Sequence, residues 1–346
     1  MASRFPVGRD RDVVLCGRVC LLRNLGGTPF PARMDAEERR DVLKEVHAAV
    51  FDRNLLQGEG FRFFVLDGLD ETKAVSLVER GLADANFIAE REGRGLFVSR
   101  DESCSILVNG EDHVAIRAAS CGFSLSEAFE KADLVETVLD KSLHFAFDPQ
   151  LGYLTRNPAH LGTGMIVSFL LHLPALADSG AVARLSANLM RIGMSLQNLW
   201  EPAPETGGEL YFLVNRMTMG LSERDAVENL GGIAQQVVSQ ERAARKEYLS
   251  DPASVRAVKD AARGLRTAER LTYEEFLGLV SLVRLGIAAR LISGAGFDAV
   301  DRLILQVRPA TLSMRCGGDP SPEKNAAARA SAVRERLASL TAEGEG

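Results

Sequence analysis

The first candidate site in this chain is the stretch NGEDHVAIR (109–117), where two carboxylates and a histidine stand together. Carboxylates pair with cationic groups, and carboxylates and imidazoles both transfer protons, so Glu111, Asp112 and His113 are residue types that catalytic sites use. The run SCSILV before them and the run after them are both typical of strands. Taken alone, the stretch is explained better by a charged turn between two strands than by a catalytic site.

Four further stretches give the 109–117 segment a context. They are RVCLLRNL (18–25), LGYLTRNPAHLGTG (151–164), LLHLPAL (170–176) and NRMTMGLSERDAVENL (215–230). With NGEDH, and in this order, they resemble the ATP:guanido phosphotransferase family, which includes creatine kinase, arginine kinase and the bacterial protein-arginine kinases. The segments GYLT, GTG and HLPAL resemble the bacterial enzymes most. The resemblance is strong over 10–245 and continues more weakly through the tail.

The resemblance implies transfer of a phosphoryl group from ATP, with Mg²⁺, to a guanidino nitrogen. Such catalysis depends on positioning and electrostatics, with arginines clamping the triphosphate. It assigns Glu111 as the acid that orients the guanidinium, and Arg18 and Ser168 to the ATP site. Arg117 lies two residues beyond a missing arginine, on the same strand face, and is expected to substitute for it in part. No metal ligand from the protein is expected.

Several functional positions depart from the family pattern. The phosphate-holding arginines fall on Cys20, Ala115, Ile166 and Gln197, and the second catalytic acid falls on Pro202, with Glu201 one residue away. A charge-assisted hydrogen bond is worth about 1.5–3 kcal/mol, and about 1.4 kcal/mol is tenfold in rate. The four lost arginines therefore predict a reaction slowed by many orders of magnitude, unless other arginines replace them. The candidates for replacement are Arg117, Arg156, Arg191 and Arg216.

Two functions from different classes remain open. One is an ATP-dependent protein-arginine kinase, which needs ATP and Mg²⁺, acts on arginine side chains of proteins and answers to an activator or a protease system. The other is a non-catalytic pseudokinase without a cofactor, acting as an adaptor or regulator in protein quality control. The substitutions favour reduced or lost activity. A homodimer is a further expectation from the resemblance.

The tail contains NAAARA (325–330) where the bacterial enzymes carry a phosphoarginine-reading motif of the form R-D-x-x-R-A. Arg329 is retained, but the Arg–Asp pair is lost. A weakened reader and a plain surface helix are both open interpretations. Elsewhere, we interpret His172 as a core histidine and Met217 and Met219 as core fillers. Trp200 is either a remnant of adenine packing or part of the core.

Composition limits the class of protein. The formal net charge of −6 argues against nucleic acid as the main partner. The five cysteines show no CxxC pairing, which favours reduced thiols over a disulfide framework or a zinc site. The N-terminus lacks the apolar core of a signal peptide, and no apolar run is long enough to cross a bilayer. We therefore expect a cytoplasmic protein without membrane contact.

The elements that must position these residues follow from hydrophobic periodicity. Strands are predicted over 12–25, 61–68, 94–100, 103–110 and 113–122. Helices are predicted over 35–52, 70–84 and 124–143, and the chain is helical throughout from about 221. We predict an α+β fold, with a guanido-kinase-type antiparallel sheet flanked by helices and followed by an all-helical C-terminal domain. The predicted domains are 1–245 and 246–346.

Overall fold

The structure, a computed structural model, describes residues 8–51, 56–199, 207–317 and 321–343. The strands are β1 (Val14–Arg23), β2 (Arg62–Val65), β3 (Gly95–Val98), β4 (Cys104–Val108), β5 (Val114–Cys121), β6 (Phe147–Asp148), β7 (Gly152–Tyr153), β8 (Met165–His172), β9 (Met194–Asn198), β10 (Leu210–Asn215), β11 (Ile292–Ser293) and β12 (Thr341–Ala342). The helices are α1 (Ala36–Phe51), α2 (Glu71–Glu79), α3 (Ala85–Ala89), α4 (Leu125–Leu143), α5 (Pro174–Asp178), α6 (Ala181–Arg191), α7 (Glu223–Tyr248), α8 (Pro252–Thr267), α9 (Tyr273–Ala288), α10 (Phe297–Gln306), α11 (Pro309–Arg315) and α12 (Pro322–Arg336).

Eight strands form one sheet in the order β2-β3-β4-β5-β1-β8-β10-β9. The pairings from β2 through β3, β4 and β5 to β1 are antiparallel. The predicted α+β class with an antiparallel sheet and a helical C-terminal part is confirmed. No described helix is long and apolar enough to cross a membrane.

The chain divides into two compact units. Unit 1 comprises Cys16–Phe169, Val214–Gly232 and the residues up to Arg9, and unit 2 comprises Asp10–Leu15, Leu170–Leu213 and Ile233–Gly346. Helix α7 runs through residue 245 and ends at Tyr248. The division into domains at 245 stays a prediction.

In unit 1, strands β1 and β5 each have one buried side and one half-buried side, as expected from the alternation of side chains along a strand. Helix α4 covers the buried side, so closely that a Cβ on Gly17 would lie 3.2 Å from the Leu125 Cα. The other side is named here the half-buried face. It presents Cys16, Arg18, Cys20 and Leu22 of β1 opposite Cys121, Ala119, Arg117 and Ala115 of β5.

In unit 2, the apolar core lies among the helices of the C-terminal part, and Val258, Phe276 and Leu337 are fully buried in it. Helix α9 begins with a capping box of Thr272 and Glu275. These contacts stabilise a core that is separate from that of unit 1.

One predicted helix differs in the structure. The sequence predicted a helix over 70–84, whereas α2 ends at Glu79 and α3 begins at Ala85. Gly81 between them has a φ of +73°. Because this left-handed conformation ends a helix and favours glycine, the chain turns there.

Candidate functional site

The turn between β4 and β5 is fixed by Asn109. This residue has a φ of +61°, and its backbone N donates to the His113 carbonyl at 2.9 Å. Its side-chain nitrogen donates to the carbonyls of Arg39 and Gly93, each at 2.8 Å. Asn109 tolerates the left-handed region better than most residues and is fully buried. It therefore sets the path of the residues that follow it.

Asp112 and His113 bind this turn to neighbouring segments. The Asp112 carboxylate accepts hydrogen bonds from the Asn24 side chain at 2.6 Å and from the Arg156 backbone N at 2.7 Å. The His113 ring nitrogen Nδ1 accepts from the Leu25 backbone N at 3.1 Å. Burial raises the pKa of the Asp112 carboxyl against these hydrogen bonds, and burial lowers the pKa of His113. Both side chains hold the turn in place.

Glu111 has the opposite surroundings. It lies at the tip of the turn and is exposed. Its carboxylate makes no hydrogen bond or ion pair with any residue that the structure describes. The backbone of Arg156, whose side chain is exposed, is bound to the adjacent Asp112. Glu111 is therefore an accessible anion on a rigid support, able to receive a cationic group from outside the chain.

On the half-buried face, Arg117 lies directly opposite Cys20. It forms an ion pair with Asp84, just before α3. Burial alone would lower the pKa of the Arg117 guanidinium, but the Asp84 carboxylate outweighs it, and the pKa is raised. Burial raises the pKa of the Cys20 thiol, against the opposing effect of Arg117. Arg117 thus lies across from Cys20, and the Asp84 carboxylate already compensates its charge.

Arg18 is held by the same stretch of chain. A Cβ on Gly81 would collide with a guanidinium nitrogen of Arg18, so the two residues are in close contact. The Ser105 hydroxyl donates to the Leu82 carbonyl at 2.9 Å and attaches the stretch to β4. We name residues 80–84, between α2 and α3, the covering segment. It contacts both arginines of the half-buried face.

The other predicted residues lie at several places. Ser168 and Ile166 are half-buried on β8, the neighbour of β1 in the sheet. Gln197 is exposed on β9 in unit 2. Trp200, Glu201 and Pro202 lie outside the described residues. Of the candidate replacement arginines, Arg117 lies on the half-buried face, Arg156 and Arg216 are exposed in unit 1, and Arg191 is exposed in unit 2.

Arg23 has a structural role. It is 1% exposed and donates to Glu136 at 3.0 Å and Glu223 at 3.1 Å. Its guanidinium lies 3.4 Å above the centroid of the Tyr153 ring, and it also donates to the Thr163 carbonyl at 3.0 Å. These contacts join β1 to α4, to the start of α7 and to the GTG segment.

Comparison with known proteins identifies the family. Residues 41–244 match the profile of the ATP:guanido phosphotransferase C-terminal catalytic domain, and residues 257–346 match the protein-arginine kinase McsB C-terminal domain. The chain belongs to the ATP:guanido phosphotransferase family. A protein-arginine kinase of Desulforamulus reducens is 34% identical over 97% of this chain and 95% of its own. One of Caldanaerobacter subterraneus subsp. tengcongensis is 31% identical over 95% of this chain and 98% of its own.

Solved structures of this family share the fold. A lombricine kinase has a TM-score of 0.59 at 18% identity, over 69% of this chain and 72% of its own. The duplicated taurocyamine kinase from Schistosoma mansoni has a TM-score of 0.62 at 23% identity, over 77% of this chain and 38% of its own. At these identities the similarity concerns the fold alone.

In the McsB-type C-terminal domain, Arg329 is buried, with 3% of its surface exposed. Its Nε donates to the Val307 carbonyl at 2.9 Å, and its Nη1 donates to the Leu271 carbonyl at 2.8 Å. Its guanidinium also lies 5.6 Å from the centroid of the Tyr273 ring. These donors serve the packing of unit 2. The role of Arg329 in phosphoarginine recognition stays a prediction.

Two other interpretations had opposite outcomes. His172 is fully buried, its Nε2 lies 2.8 Å from the Ser281 hydroxyl, and it is a core histidine as predicted. The interpretation of Met217 and Met219 as core fillers was wrong, because they are 57% and 48% exposed. The methionines follow β10 in a loop, where Thr218 between them is buried and binds the carbonyls of Ala159 and Leu161. Hydrophobicity alone did not reveal that the threonine points inward.

Proposed function

We propose that this family member binds arginine side chains of proteins through Glu111, and that its transfer of phosphate from MgATP is strongly reduced or lost. The observation that carries the proposal is the state of Arg117. This arginine lies opposite Cys20 and is neutralised by Asp84. A guanidinium already paired with a carboxylate attracts a triphosphate much less than an unpaired one.

The residues present fit a triphosphate poorly. Cys20, Ala115 and Ile166 provide no cation where the resemblance expects arginines, and the covering segment contacts Arg18 and Arg117. Of the residues that the resemblance assigns to the ATP site, Arg18, Arg117 and Ser168 remain in unit 1. Binding ATP would require the Arg117–Asp84 pair to open, which costs part of the energy that the phosphate contact supplies. We therefore derive no catalytic step through ATP.

The guanidinium side of the site is better preserved. Glu111 keeps its charge, its exposure and a support that three buried polar residues hold rigid. A carboxylate in this position forms a charge-assisted pair with an arginine side chain. The combination favours a pseudokinase that recognises arginine-bearing protein segments, as an adaptor or regulator in protein quality control would.

The active-kinase alternative is supported by one observation. Arg117 is on the same side of the sheet as Arg18, directly across from the position where the motif lost its second arginine. If Asp84 releases it when nucleotide arrives, two cations face the phosphates. Family membership and the named relatives support the same alternative.

Calorimetric titration of the full chain with MgATP, up to millimolar concentration, separates the two functions. We expect very weak binding or none. A dissociation constant in the low micromolar range would overturn the proposed loss of the phosphate clamp. A second measurement is the rate of phosphate transfer to an arginine-rich protein, and the rate of the Glu111→Gln variant serves as the background. Wild-type transfer a hundredfold above that background would establish the kinase instead.

A further inference from the structure

Two cysteines stand opposite each other on neighbouring strands of unit 1. Cys16 of β1 pairs in register with Cys121 of β5. Both are half-buried on the half-buried face, and neither is in a disulfide. Their positions come from segments about a hundred residues apart in sequence, so only the fold brings them together.

The register places the Cα atoms of the two cysteines at a separation that a disulfide can span. Directly opposed residues of an antiparallel pair have Cα atoms about 4.5–5.5 Å apart, with side chains on the same side of the sheet. Disulfides span Cα separations of about 4.4–6.8 Å. A bond between Cys16 and Cys121 therefore requires side-chain rotation and little movement of the backbone.

The other three cysteines lack such a partner among their opposed residues. Cys20 faces Arg117 on β5, and Cys104 faces Ala118 on β5. Burial raises the pKa of the Cys104 thiol to about 12, which suppresses the reactive thiolate. Cys316 is exposed and belongs to unit 2. Among the five cysteines, position thus directs formation of an intramolecular disulfide to the Cys16–Cys121 pair.

We propose that Cys16 and Cys121 are a redox modification site, which forms an intramolecular disulfide by exchange with a small-molecule disulfide such as oxidised glutathione. The thiolate of one cysteine attacks a sulfur of glutathione disulfide, and one glutathione thiolate leaves. The second cysteine, deprotonated, attacks the mixed disulfide and expels the other glutathione. Two protein thiols lose two protons and two electrons, and one glutathione disulfide becomes two glutathione thiols.

The bond would act beside the phosphate-facing arginine. Arg18 follows Cys16 by two residues and projects from the same side of β1. A disulfide at 16–121 ties β1 to β5 next to Arg18 and restricts the separation of the two strands. It also closes a loop of about a hundred residues in the unfolded chain, which favours the folded state. The oxidised protein is then the more rigid form.

The test begins with the reduced full-length chain and oxidised glutathione. We expect peptide mapping to locate an intramolecular link between Cys16 and Cys121, with two hydrogens lost from the linked peptides, while the exposed Cys316 takes up glutathione separately. A glutathione adduct retained on Cys16 or Cys121, a link from either of them to another cysteine, or a disulfide between two chains through either of them would overturn the proposal. This measurement uses the wild-type protein, so it does not depend on the folding of a variant.

Variants give the matched control. Cys316→Ser is expected to form the same internal link, whereas Cys16→Ser is expected to stop at a glutathione adduct on Cys121. The thermal midpoint of the wild type should rise by several degrees on oxidation and return with dithiothreitol. An unchanged midpoint in a protein whose 16–121 link is proven by mapping would contradict the proposed rigidification.

Discussion

Glu111 and Asp112 are adjacent acids whose surroundings give them separate roles. Asp112 is buried and accepts two hydrogen bonds from the protein, whereas Glu111 is exposed and lies at the tip of the turn. Burial raises the pKa of Asp112, and its hydrogen bonds oppose that shift. Glu111 remains in contact with water. The two adjacent acids therefore supply a buried support, Asp112, and an exposed carboxylate, Glu111.

Replacing Glu111 by Gln removes the charge and preserves the shape. We expect the affinity for a labelled arginine-rich peptide to fall about tenfold or more, on the scale of a charge-assisted hydrogen bond. Fluorescence anisotropy at low ionic strength measures the change, and urea unfolding should show little loss of stability. Glu45→Gln, at an exposed position of α1, is the control. Equal affinity in Glu111→Gln and wild type would rule out Glu111 as the binding acid.

Asp84→Asn tests the neutralisation of Arg117. Removing the carboxylate leaves the guanidinium charge available and takes an anion away from the half-buried face. We expect MgATP to bind about tenfold more tightly than to wild type, measured by calorimetry. The double variant Asp84→Asn with Arg117→Met should lose the gain. If the double variant keeps it, the improved binding comes from a residue other than Arg117.

At the level of elements, buried side-chain hydrogen bonds of Asn109, Asp112 and His113 hold the β4–β5 turn. Asp112→Ala leaves the Asn24 amide and the Arg156 backbone N without their acceptor. We expect a loss of about 1–3 kcal/mol in the free energy of unfolding, measured by urea titration. Asp112→Asn keeps an acceptor oxygen and should cost much less, because burial already disfavours the charged carboxylate. A larger loss of unfolding free energy in Asp112→Asn than in Asp112→Ala would contradict this role of Asp112.

The sequence predicted strands and helices well where hydrophobic periodicity is strong. The strand predicted over 113–122 is β5, and the helix predicted over 35–52 is α1. It also placed Arg117 on the correct side of its strand, because side chains alternate. The covering segment was missed, since the helix pattern of 70–84 continues across Gly81. The Arg117–Asp84 pair depends on that break and could not be predicted without the fold.

The same limit applies to the candidate site. The motif order in the sequence predicted Glu111 and Arg18 as site residues, and whether they act so awaits experiment. The contacts that govern them come from distant segments: Asn24 and Arg156 for the turn, and Gly81 for Arg18. Such contacts are set by tertiary packing, which local patterns do not encode.

For the whole molecule, buried histidines make stability depend on pH. Burial, followed by the charges of Arg284 and Arg245, lowers the pKa of His172 well below its ordinary value near 6.5. Below pH 6.5, His172 binds a proton in the unfolded chain but stays neutral in the folded chain. The stabilising contribution is therefore complete at neutral pH and falls as the pH decreases from about 6.5.

His172→Gln removes this titration and keeps a donor for Ser281. We expect wild type to lose up to about 1.4 kcal/mol per pH unit from this residue below pH 6.5. The variant should lose clearly less between pH 7 and pH 5, as measured by urea unfolding at each pH. The remaining slope includes His113, whose pKa burial also lowers. Identical slopes in both proteins would show that His172 titrates normally.

The covering segment supplies an anion, Asp84, that competes with external ligands for Arg117. Asp84 is joined to the same chain as Arg117, so its carboxylate is present beside the guanidinium at an effective concentration of about millimolar or higher. A ligand with a single negative charge must displace this tethered anion and gains little by doing so. A ligand with several phosphates can engage Arg18 and Arg117 together and compensate for the displacement. We therefore expect the segment to set a minimum anionic charge for any ligand that binds the half-buried face.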